Sequence, residues 1–437
     1  MRMLSGKRRH MALVPRQGPG SDMDHFLYRG GMLHAEGLST ADLAREFGTP
    51  LYVYSKATLL RHARAFEEAF AGHPHQICYA VKANSSLSIL GLLARHGCGF
   101  DVVSKGEMKR VIRAGGDPRR MVFSGVGKSE EEIIFALRHR VSCINLESEA
   151  EAAVVERLAA QLRVRPSVAL RVNPDVDART HPAIATGLRC NKFGISWQKA
   201  AEVYRTLARS PHLHISGIGC HIGSQMTSCE PIVSACARLM ELRAELQRSG
   251  ITISHLDVGG GLGVTYGDEQ PPSPAEYVAA VCAAVGDPQL RILIEPGRAM
   301  VANAGILLTR VLYLKENEGR RFCIVDAGMN DLLRPALYGA WMNIVPARLR
   351  TGEELEYSVV GPVCESDDFL GHERMLCVKP GDVLAVRGAG AYGSSMSSNY
   401  NSRPLCAEVL VDGERSYIIR HRQRLQALWA DEDLVEV

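Results

Sequence analysis

The sequence lacks an apolar run long enough to cross a membrane, and it lacks an excess of one charge. Its 437 residues include 51 lysines and arginines against 48 aspartates and glutamates, a formal net charge of +3. The two signs are interspersed, which gives no indication of a nucleic-acid or membrane surface. Residues 1–24 contain only a short apolar patch, too short for a signal peptide. We therefore expect a cytoplasmic protein in which residues 1–24 are a disordered extension, or precede a start at Met11 or Met23.

Paired cysteines are also missing. The chain has 12 cysteines but no CxxC pair, and they occur singly in apolar segments such as "GCGFDVV" and "RFCIVDAG". Scattered thiols of this kind are typical of reduced, buried cysteines in a cytosolic enzyme. The sequence therefore predicts neither a disulfide framework nor a metal site.

The length predicts two domains, and 46% hydrophobic with 23% charged residues is typical of a globular protein. From Ile77 to Arg298, eight short apolar strands alternate with amphipathic helices. The strands are "ICYAVK", "GFDVVS", "MVFSGVG", "SCINLES", "SVALRVNP", "ISGIGCHIGS", "SHLDVGGG" and "RILIEPGR". Eight such units predict a (β/α)8 barrel over residues 45–300, with an open doubly wound sheet as the alternative. Strand-like runs with few helices then predict a mostly antiparallel C-terminal β domain over 301–437, which residues 25–44 join.

Polar residues occupy the ends of the predicted barrel strands, where barrel enzymes carry their chemistry. Lys82 ends strand one, Asp101 lies on strand two, and "CHIGSQ" puts His221 and Ser224 at the end of strand six. The run "GGGLG", beginning with Gly259, Gly260 and Gly261, ends strand seven, and "EPGR" (Glu295, Pro296, Gly297 and Arg298) ends strand eight. Consecutive glycines let backbone N–H groups approach an anion closely, so the run predicts a phosphate site.

Together these residues suggest pyridoxal phosphate. The aldehyde would bond to Lys82, whose pKa an apolar surround would lower so that the free amine is available. Glu295 would keep the pyridine nitrogen protonated, which makes the ring a strong electron sink. His221 would stack on the ring, although a histidine taken alone is more often a packed core residue.

The chain resembles the bacterial diaminopimelate decarboxylases, which are fold-type III pyridoxal-phosphate enzymes with an alanine racemase-like fold. The matching motifs extend from about Phe26 almost to the end of the chain, and include "GTPLYVYS", "YAVKAN", "HIGSQ", "DVGGGLG", "EPGR", "GPVCESDDFLG" and "RGAGAYGSSMSSNYNSRP". The resemblance implies a barrel followed by a β domain, in agreement with the strand pattern.

The resemblance also implies residue roles. Lys82 would hold the cofactor, His221 would stack on it, and Glu295 would face the ring nitrogen. Phosphate would be bound by Ser224, Gly261, Gly297 and Arg298, with Tyr392 nearby. The active site would lie at a homodimer interface, where the partner chain would supply Cys364 as proton donor and Glu365 as a substrate contact. Arg298, Arg334, Tyr338 and Tyr392 would complete the substrate site.

The choice of reaction and substrate depends on charge. Racemases of this barrel type set an arginine at the pyridine nitrogen, whereas Glu295 favours decarboxylation. Arg334 in "NDLLRPALY" can bind a distal carboxylate in bidentate fashion, unless it pairs with Asp331. We expect decarboxylation of meso-2,6-diaminopimelate to L-lysine and CO2. The alternatives are ornithine or lysine, a carrier-linked acidic amino acid, or a non-catalytic cofactor-binding role, which the β domain disfavours.

Overall fold

The computed structural model describes residues 24–178 and 191–435. The described chain begins with a small antiparallel sheet, a helix and a fully buried strand. These elements are β1 (Phe26–Arg29), β2 (Met32–Ala35), β3 (Leu38–Ser39), α1 (Thr40–Phe47) and β4 (Leu51–Ser55). Asp24 is buried and forms an ion pair with Arg61. The rest of the predicted N-terminal extension lies outside the described residues.

A closed barrel of eight parallel strands confirms the predicted fold class. The strands with their short companion β10 are β5 (His75–Ala80), β6 (Gly99–Val102), β7 (Met121–Phe123), β8 (Cys143–Leu146), β9 (Ser167–Asn173), β10 (Ile195–Ser196), β11 (His214–Gly219), β12 (His255–Asp257) and β13 (Arg291–Ile294). Strand β9 pairs with β8 and β11, and β13 pairs with β5, which closes the ring. Strands β6 to β8 are buried throughout because helices cover the outside of the barrel.

The barrel helices follow the strands in turn. They are α2 (Lys56–Ala69), which precedes the first strand, then α3 (Leu87–Arg95), α4 (Lys105–Arg113), α5 (Glu130–His139), α6 (Glu149–Leu162), α7 (Trp197–Leu207), α8 (Glu230–Arg248), α9 (Pro274–Val285) and α10 (Arg298–Val301). Ser104, Ser129 and Ser148 cap α4, α5 and α6 by accepting a backbone N–H in the first turn. In the described ranges, no helix is both long and apolar enough to span a bilayer.

The C-terminal β domain is mostly antiparallel, as predicted. Its elements are β14 (Gly305–Asn317), β15 (Arg320–Val325), α11 (Arg334–Tyr338), β16 (Ile344–Pro346), β17 (Leu355–Val360), β18 (Phe369–Leu376), β19 (Val383–Val386), β20 (Ala407–Asp412) and β21 (Arg415–Arg420). The central strand β14 pairs antiparallel with β4, β15 and β19. Only β15–β17 and β20–β4 are parallel pairs in the part of this sheet that the structure describes.

The predicted start of the barrel at residue 45 differs from the observed sheet pairing. Strand β4 lies between β14 and β20 in the β-domain sheet and makes no barrel pair. The apolar run "LYVYS" is compatible with either sheet, because both would bury it on two faces. The chain thus contributes one strand to the β domain before it enters the barrel through α2.

Eleven cysteines fall in the described residues, and all of them are free thiols. Most are buried, as expected for small apolar side chains. Cys364 is the only one of these eleven that is classed as exposed. The same residues contain no cluster of three histidine, cysteine or acidic side chains suited to hold a metal ion.

Candidate active site

Lys82 lies on a single helical turn, Val81–Ala83, that directly follows the first barrel strand. Its Nζ donates to Asp101 Oδ2 at 2.6 Å. Asp101 lies on the adjacent strand β6, where the register pairs it with Ala80. The aspartate is completely buried, whereas 37% of the lysine side chain is accessible. The amine thus meets a buried carboxylate at the open end of the barrel.

The expectation that an apolar surround lowers the pKa of Lys82 is wrong. Burial does act to lower that pKa, but the charge of Asp101 and its hydrogen bond oppose burial, and the pKa lies above its ordinary value. The apolar residues of β5 do not decide the protonation state, because the neighbouring strand ends bring two carboxyl groups close to the amine. Lys82 is therefore a protonated amine, and the neighbouring Asp101 stabilises its charge.

Glu295, predicted at the end of the last barrel strand, is buried beside a second carboxyl group that sequence reasoning missed. Asp257, the last residue of β12, accepts hydrogen bonds from Gly259 N–H at 3.0 Å and from Asn145 Nδ2 at 3.1 Å. Burial and the charges of Asp101 and Asp257 raise the pKa of Glu295 well above its ordinary value. The hydrogen-bond donors around Asp257 favour its carboxylate, so the proton shared by the pair resides on Glu295.

His221 and the glycine run contact each other at the ends of β11 and β12. The backbone N–H of Gly260 donates to His221 Nδ1 at 3.1 Å, so the proton of the neutral ring lies on Nε2. Burial, followed by the charges of Arg171 and Lys82, lowers the pKa of His221 well below its ordinary value. Since Gly259 and Gly260 use their N–H groups within the protein, the predicted anion cradle depends on Gly261 and the residues around it.

Glycine is also required in this run because neighbouring backbone segments pack closely against it. A Cβ on Gly260 would lie 2.3 Å from the carbonyl oxygen of Glu295, and Gly259 and Gly261 have φ of +70° and +117°. A Cβ on Gly297 would contact Ala80 and Ala83 at 3.1 Å each, which places this glycine against the Lys82 turn. Pro296 accepts a hydrogen bond from Ala80 N–H at 3.2 Å and so joins the first and last strands.

Gly260→Ala is expected to destabilise the protein by about 1–3 kcal/mol and to weaken cofactor retention, because the added methyl must displace the Glu295 backbone. Gly127→Ala is the matched control, since a Cβ there meets nothing within 4 Å. Denaturant unfolding and the absorbance of bound pyridoxal phosphate measure the two effects. Equal behaviour of the two variants would contradict the close-approach explanation.

Arg298 is buried at the end of the last barrel strand and donates to two hydroxyl groups. Its Nε and Nη2 atoms both lie 3.2 Å from Ser224 Oγ, and Nη1 lies 2.7 Å from the hydroxyl oxygen of Tyr266. Tyr392, from the β domain, lies under the guanidinium with its ring centre 5.0 Å away. The backbone N–H of Tyr392 donates to Ala83 O at 2.8 Å, which brings the β domain onto the Lys82 turn.

Arg334 is the first residue of α11 and is buried in the β domain close to this group. Its guanidinium carbon lies 4.6 Å from the centre of the Tyr266 ring, and Nη1 lies 3.5 Å from Met342 Sδ. The alternative pairing with Asp331 is not formed. In residues 24–178 and 191–435, no carboxylate forms an ion pair with Arg334 or Arg298. Tyr338 is half-buried at the end of α11 and interacts electrostatically with Arg298.

Cys364 and Glu365 are exposed on the loop between β17 and β18. Cys364 N–H donates to Asn401 Oδ1 at 2.9 Å, and Tyr400 OH donates to Glu365 Oε2 at 3.2 Å. These contacts lie within the β domain, and no described hydrogen bond joins the two side chains to the barrel residues of the site. The single chain therefore brings together every other predicted site residue but leaves these two apart.

A cavity of about 730 Å³ lies next to the loop that follows the glycine run. Tyr266 and Gly263 form part of its wall, but Lys82, His221 and Glu295 do not. The candidate active site is at Lys82 rather than in this cavity, because the ionisable groups with perturbed pKa values converge on the lysine.

The described residues fit a pyridoxal phosphate group. Asp101 Oδ1 is buried without a hydrogen-bond partner, Glu295 offers a carboxyl group inside the barrel mouth, and Ser224 with Arg298 offers donors for a phosphate. Fold and site together define the class of pyridoxal-dependent decarboxylases. The family model described as "Pyridoxal-dependent decarboxylase, pyridoxal binding domain" matches residues 56–302.

Comparisons with individual proteins narrow the class. The chain is 54% identical to a Vibrio cholerae protein named diaminopimelate decarboxylase over 415 residues, which cover 94% of this chain and all of the relative. A crystal structure of diaminopimelate decarboxylase from Helicobacter pylori complexed with L-lysine superposes with a TM-score of 0.87 at 42% identity, covering 90% of this chain and 98% of that one. The crystal structure of diaminopimelate decarboxylase from M. jannaschii, also in complex with L-lysine, superposes with a TM-score of 0.90 at 35% identity. The superposition covers 94% of this chain and 98% of that one. The chain belongs to the diaminopimelate decarboxylase family.

Proposed function

We propose that this chain uses pyridoxal phosphate to decarboxylate meso-2,6-diaminopimelate to L-lysine and CO2, the last step of lysine biosynthesis. The observation that carries the proposal is the pair of buried arginines, Arg298 and Arg334, which have no carboxylate partner in the described part of the chain. A buried guanidinium without a counter-charge costs free energy, so the pair favours an anionic ligand. The distal carboxylate of diaminopimelate provides one, whereas the distal ammonium of ornithine or lysine would be repelled.

When bound, the cofactor supplies the electron sink for the electron pair that remains after CO2 leaves. Lys82 would hold the aldehyde through its nitrogen, which must first lose the proton that Asp101 Oδ2, 2.6 Å from Nζ, stabilises. That proton would leave to solvent, to which 37% of the lysine side chain is accessible. The second oxygen of Asp101, Oδ1, has no partner in the described residues and stays available to a donor on the bound group.

Glu295 and His221 control protons on the two sides of the site. Glu295, whose pKa is raised, holds a proton that it would share with the ring nitrogen of the bound cofactor. His221 remains neutral because its pKa is lowered, so it packs as an uncharged ring and adds no positive charge beside Lys82. Ser224, Gly261 and Arg298 offer the donors for the phosphate, and Gly297 keeps the first strand close enough for them to act together.

The active site is completed by a second copy of the chain in a homodimer. Cys364 and Glu365 are exposed and lie outside the site of their own chain, so a partner must bring them to it. Leu337, in the last turn of α11, and Trp341, just after it, are 52% and 46% exposed and offer an apolar surface for that partner. Cys364 then donates the proton to the α-carbon, and Glu365 binds the distal amine. The free thiols agree with a cytoplasmic location.

The proposal is tested by CO2 release from purified protein loaded with pyridoxal phosphate. meso-Diaminopimelate is supplied in one reaction, with ornithine, lysine and arginine in parallel reactions. We expect release from diaminopimelate alone, with L-lysine as the product identified by chromatography. Release from a basic amino acid instead would contradict the role of the arginine pair, and no release from any substrate would favour a non-catalytic binding role.

A further inference from the structure

Tyr266 lies between the two buried arginines and contacts both. Its hydroxyl oxygen accepts a hydrogen bond from Arg298 Nη1 at 2.7 Å. The guanidinium carbon of Arg334 lies 4.6 Å from the centre of its ring, within the range of a cation–π contact. Arg298 belongs to the barrel and Arg334 to the β domain, so one side chain connects the two cations across the domain boundary.

The surroundings hold Tyr266 in one position. The backbone N–H groups of Tyr266 and Gly267 donate to the same oxygen of Glu269, at 3.0 and 2.7 Å. On the other side, a Cβ on Gly388 would lie 3.0 Å from the tyrosine ring, so the β-domain backbone closes on the ring without room to spare. Only 9% of Tyr266 is exposed. The ring therefore offers the arginines a rigid contact.

The two arginines need such a contact because they repel each other. Burial lowers the pKa of Arg334, and the charge of Arg298 acts in the same direction. Tyr266 separates the two guanidiniums, with its hydroxyl oxygen facing one and its π electrons facing the other. Without it, Arg298 would keep its described contacts with Ser224 and Tyr392, and Arg334 its described contact with Met342.

We propose that Tyr266 is a positioning residue, which sets the spacing and orientation of Arg298 and Arg334 for the distal carboxylate of the substrate. The inference rests on the proposed function, because it assigns that carboxylate to the arginine pair. Tyr266 does not contact the amine of Lys82, so its contribution is to substrate binding rather than to the chemical step. Its loss therefore raises KM more than it lowers kcat.

The test compares Tyr266→Phe, which keeps the ring, with Tyr266→Leu, which removes both contacts. We expect KM for diaminopimelate to rise about tenfold in the first, as for loss of a hydrogen bond to a charged group, and further in the second. L-Lysine keeps the distal carboxylate as the product and should bind more weakly by a similar factor, whereas the inhibition constant of 1,5-diaminopentane, which lacks that carboxylate, is expected to stay within about twofold. In a second measurement without turnover, added pimelate should raise the unfolding temperature of the wild type and have a smaller effect on both variants.

The matched control is Tyr204→Phe, which removes a buried hydroxyl that donates to Gly217 O at 2.7 Å, outside the site. It should lower stability without changing KM or the response to pimelate. A wild-type KM in Tyr266→Phe, or equal weakening of diaminopimelate and 1,5-diaminopentane, would overturn the inference. A wild type that is inactive but stabilised by pimelate overturns the proposed function alone, and a wild type that does not respond to pimelate overturns both.

Discussion

Replacing Lys82 by arginine is expected to reduce CO2 release from diaminopimelate by at least about a thousandfold while leaving the protein folded. The guanidinium keeps a positive charge beside Asp101 but does not deprotonate, so it cannot bond to an aldehyde. Lys82→Ala should lose the same activity but is a poorer test, because it leaves the fully buried Asp101 without a counter-charge. Borohydride reduction followed by mass spectrometry measures whether the cofactor is attached to the chain and to which lysine.

Lys128 provides the matched control. Its side chain is fully buried in the barrel and lies 2.6 Å from a carboxylate oxygen of Glu151, the same distance as in the Lys82–Asp101 pair. Lys128→Arg should keep cofactor attachment and turnover, because Lys128 Nζ donates to Glu151 and to the backbone oxygens of Gly125 and Asn145 and makes no described hydrogen bond to Asp101 or Glu295. Attachment of the cofactor to another lysine in Lys82→Arg, with normal turnover, would refute the assignment.

All eight barrel strands could be predicted from the sequence, because parallel strands buried on both faces are continuous apolar runs between turn residues. Several predicted strands extended beyond the observed C-terminal ends, because glycine and apolar residues continue from the strands into the loops. The last strand ends at Ile294 and the seventh at Asp257, before "EPGR" and the glycine run. The predicted bounds of the barrel, 45–300, include β4, because its pairing with β14 and β20 depends on chain segments that lie far away in sequence.

The sequence predicted the site residues that lie in a recognisable motif. It did not predict the residues whose role depends on contacts with other parts of the chain. Lys82, His221 and Arg298 each stand at a strand end in a recognisable motif. Asp257 and Tyr266 carry no spacing signal, although Asp257 stands two residues before the glycine run. The pKa of Lys82 could not be predicted from its own strand, because its shift comes from carboxyl groups on other strands.

Arg334→Met is expected to reduce kcat/KM for diaminopimelate by a hundredfold or more, since truncating one partner of a buried charge pair costs about 2–5 kcal/mol of binding. Any residual release of CO2 from lysine, which has no distal carboxylate, should fall far less. The free energy of unfolding should be unchanged or increased, because the native protein buries this guanidinium without a carboxylate partner in its described residues. Steady-state kinetics on both substrates and denaturant unfolding measure these effects.

Arg374→Met is the control for the loss of a cation–π contact between an arginine and an aromatic ring. Arg374 lies over Trp341 at 4.6 Å, the same distance as Arg334 over Tyr266, and donates to Met342 O at 3.0 Å. Its replacement removes a similar cation–π contact in the same domain but no proposed substrate ligand, so kcat/KM should change little in protein that is still dimeric, since Trp341 also belongs to the proposed partner surface. If both variants lose activity equally, or if Arg334→Met loses activity on lysine as strongly as on diaminopimelate, Arg334 supports the structure of the β domain instead of binding the distal carboxylate. If Arg334→Met loses only its activity on diaminopimelate and its free energy of unfolding does not fall, the buried guanidinium serves to bind the substrate and does not stabilise the fold.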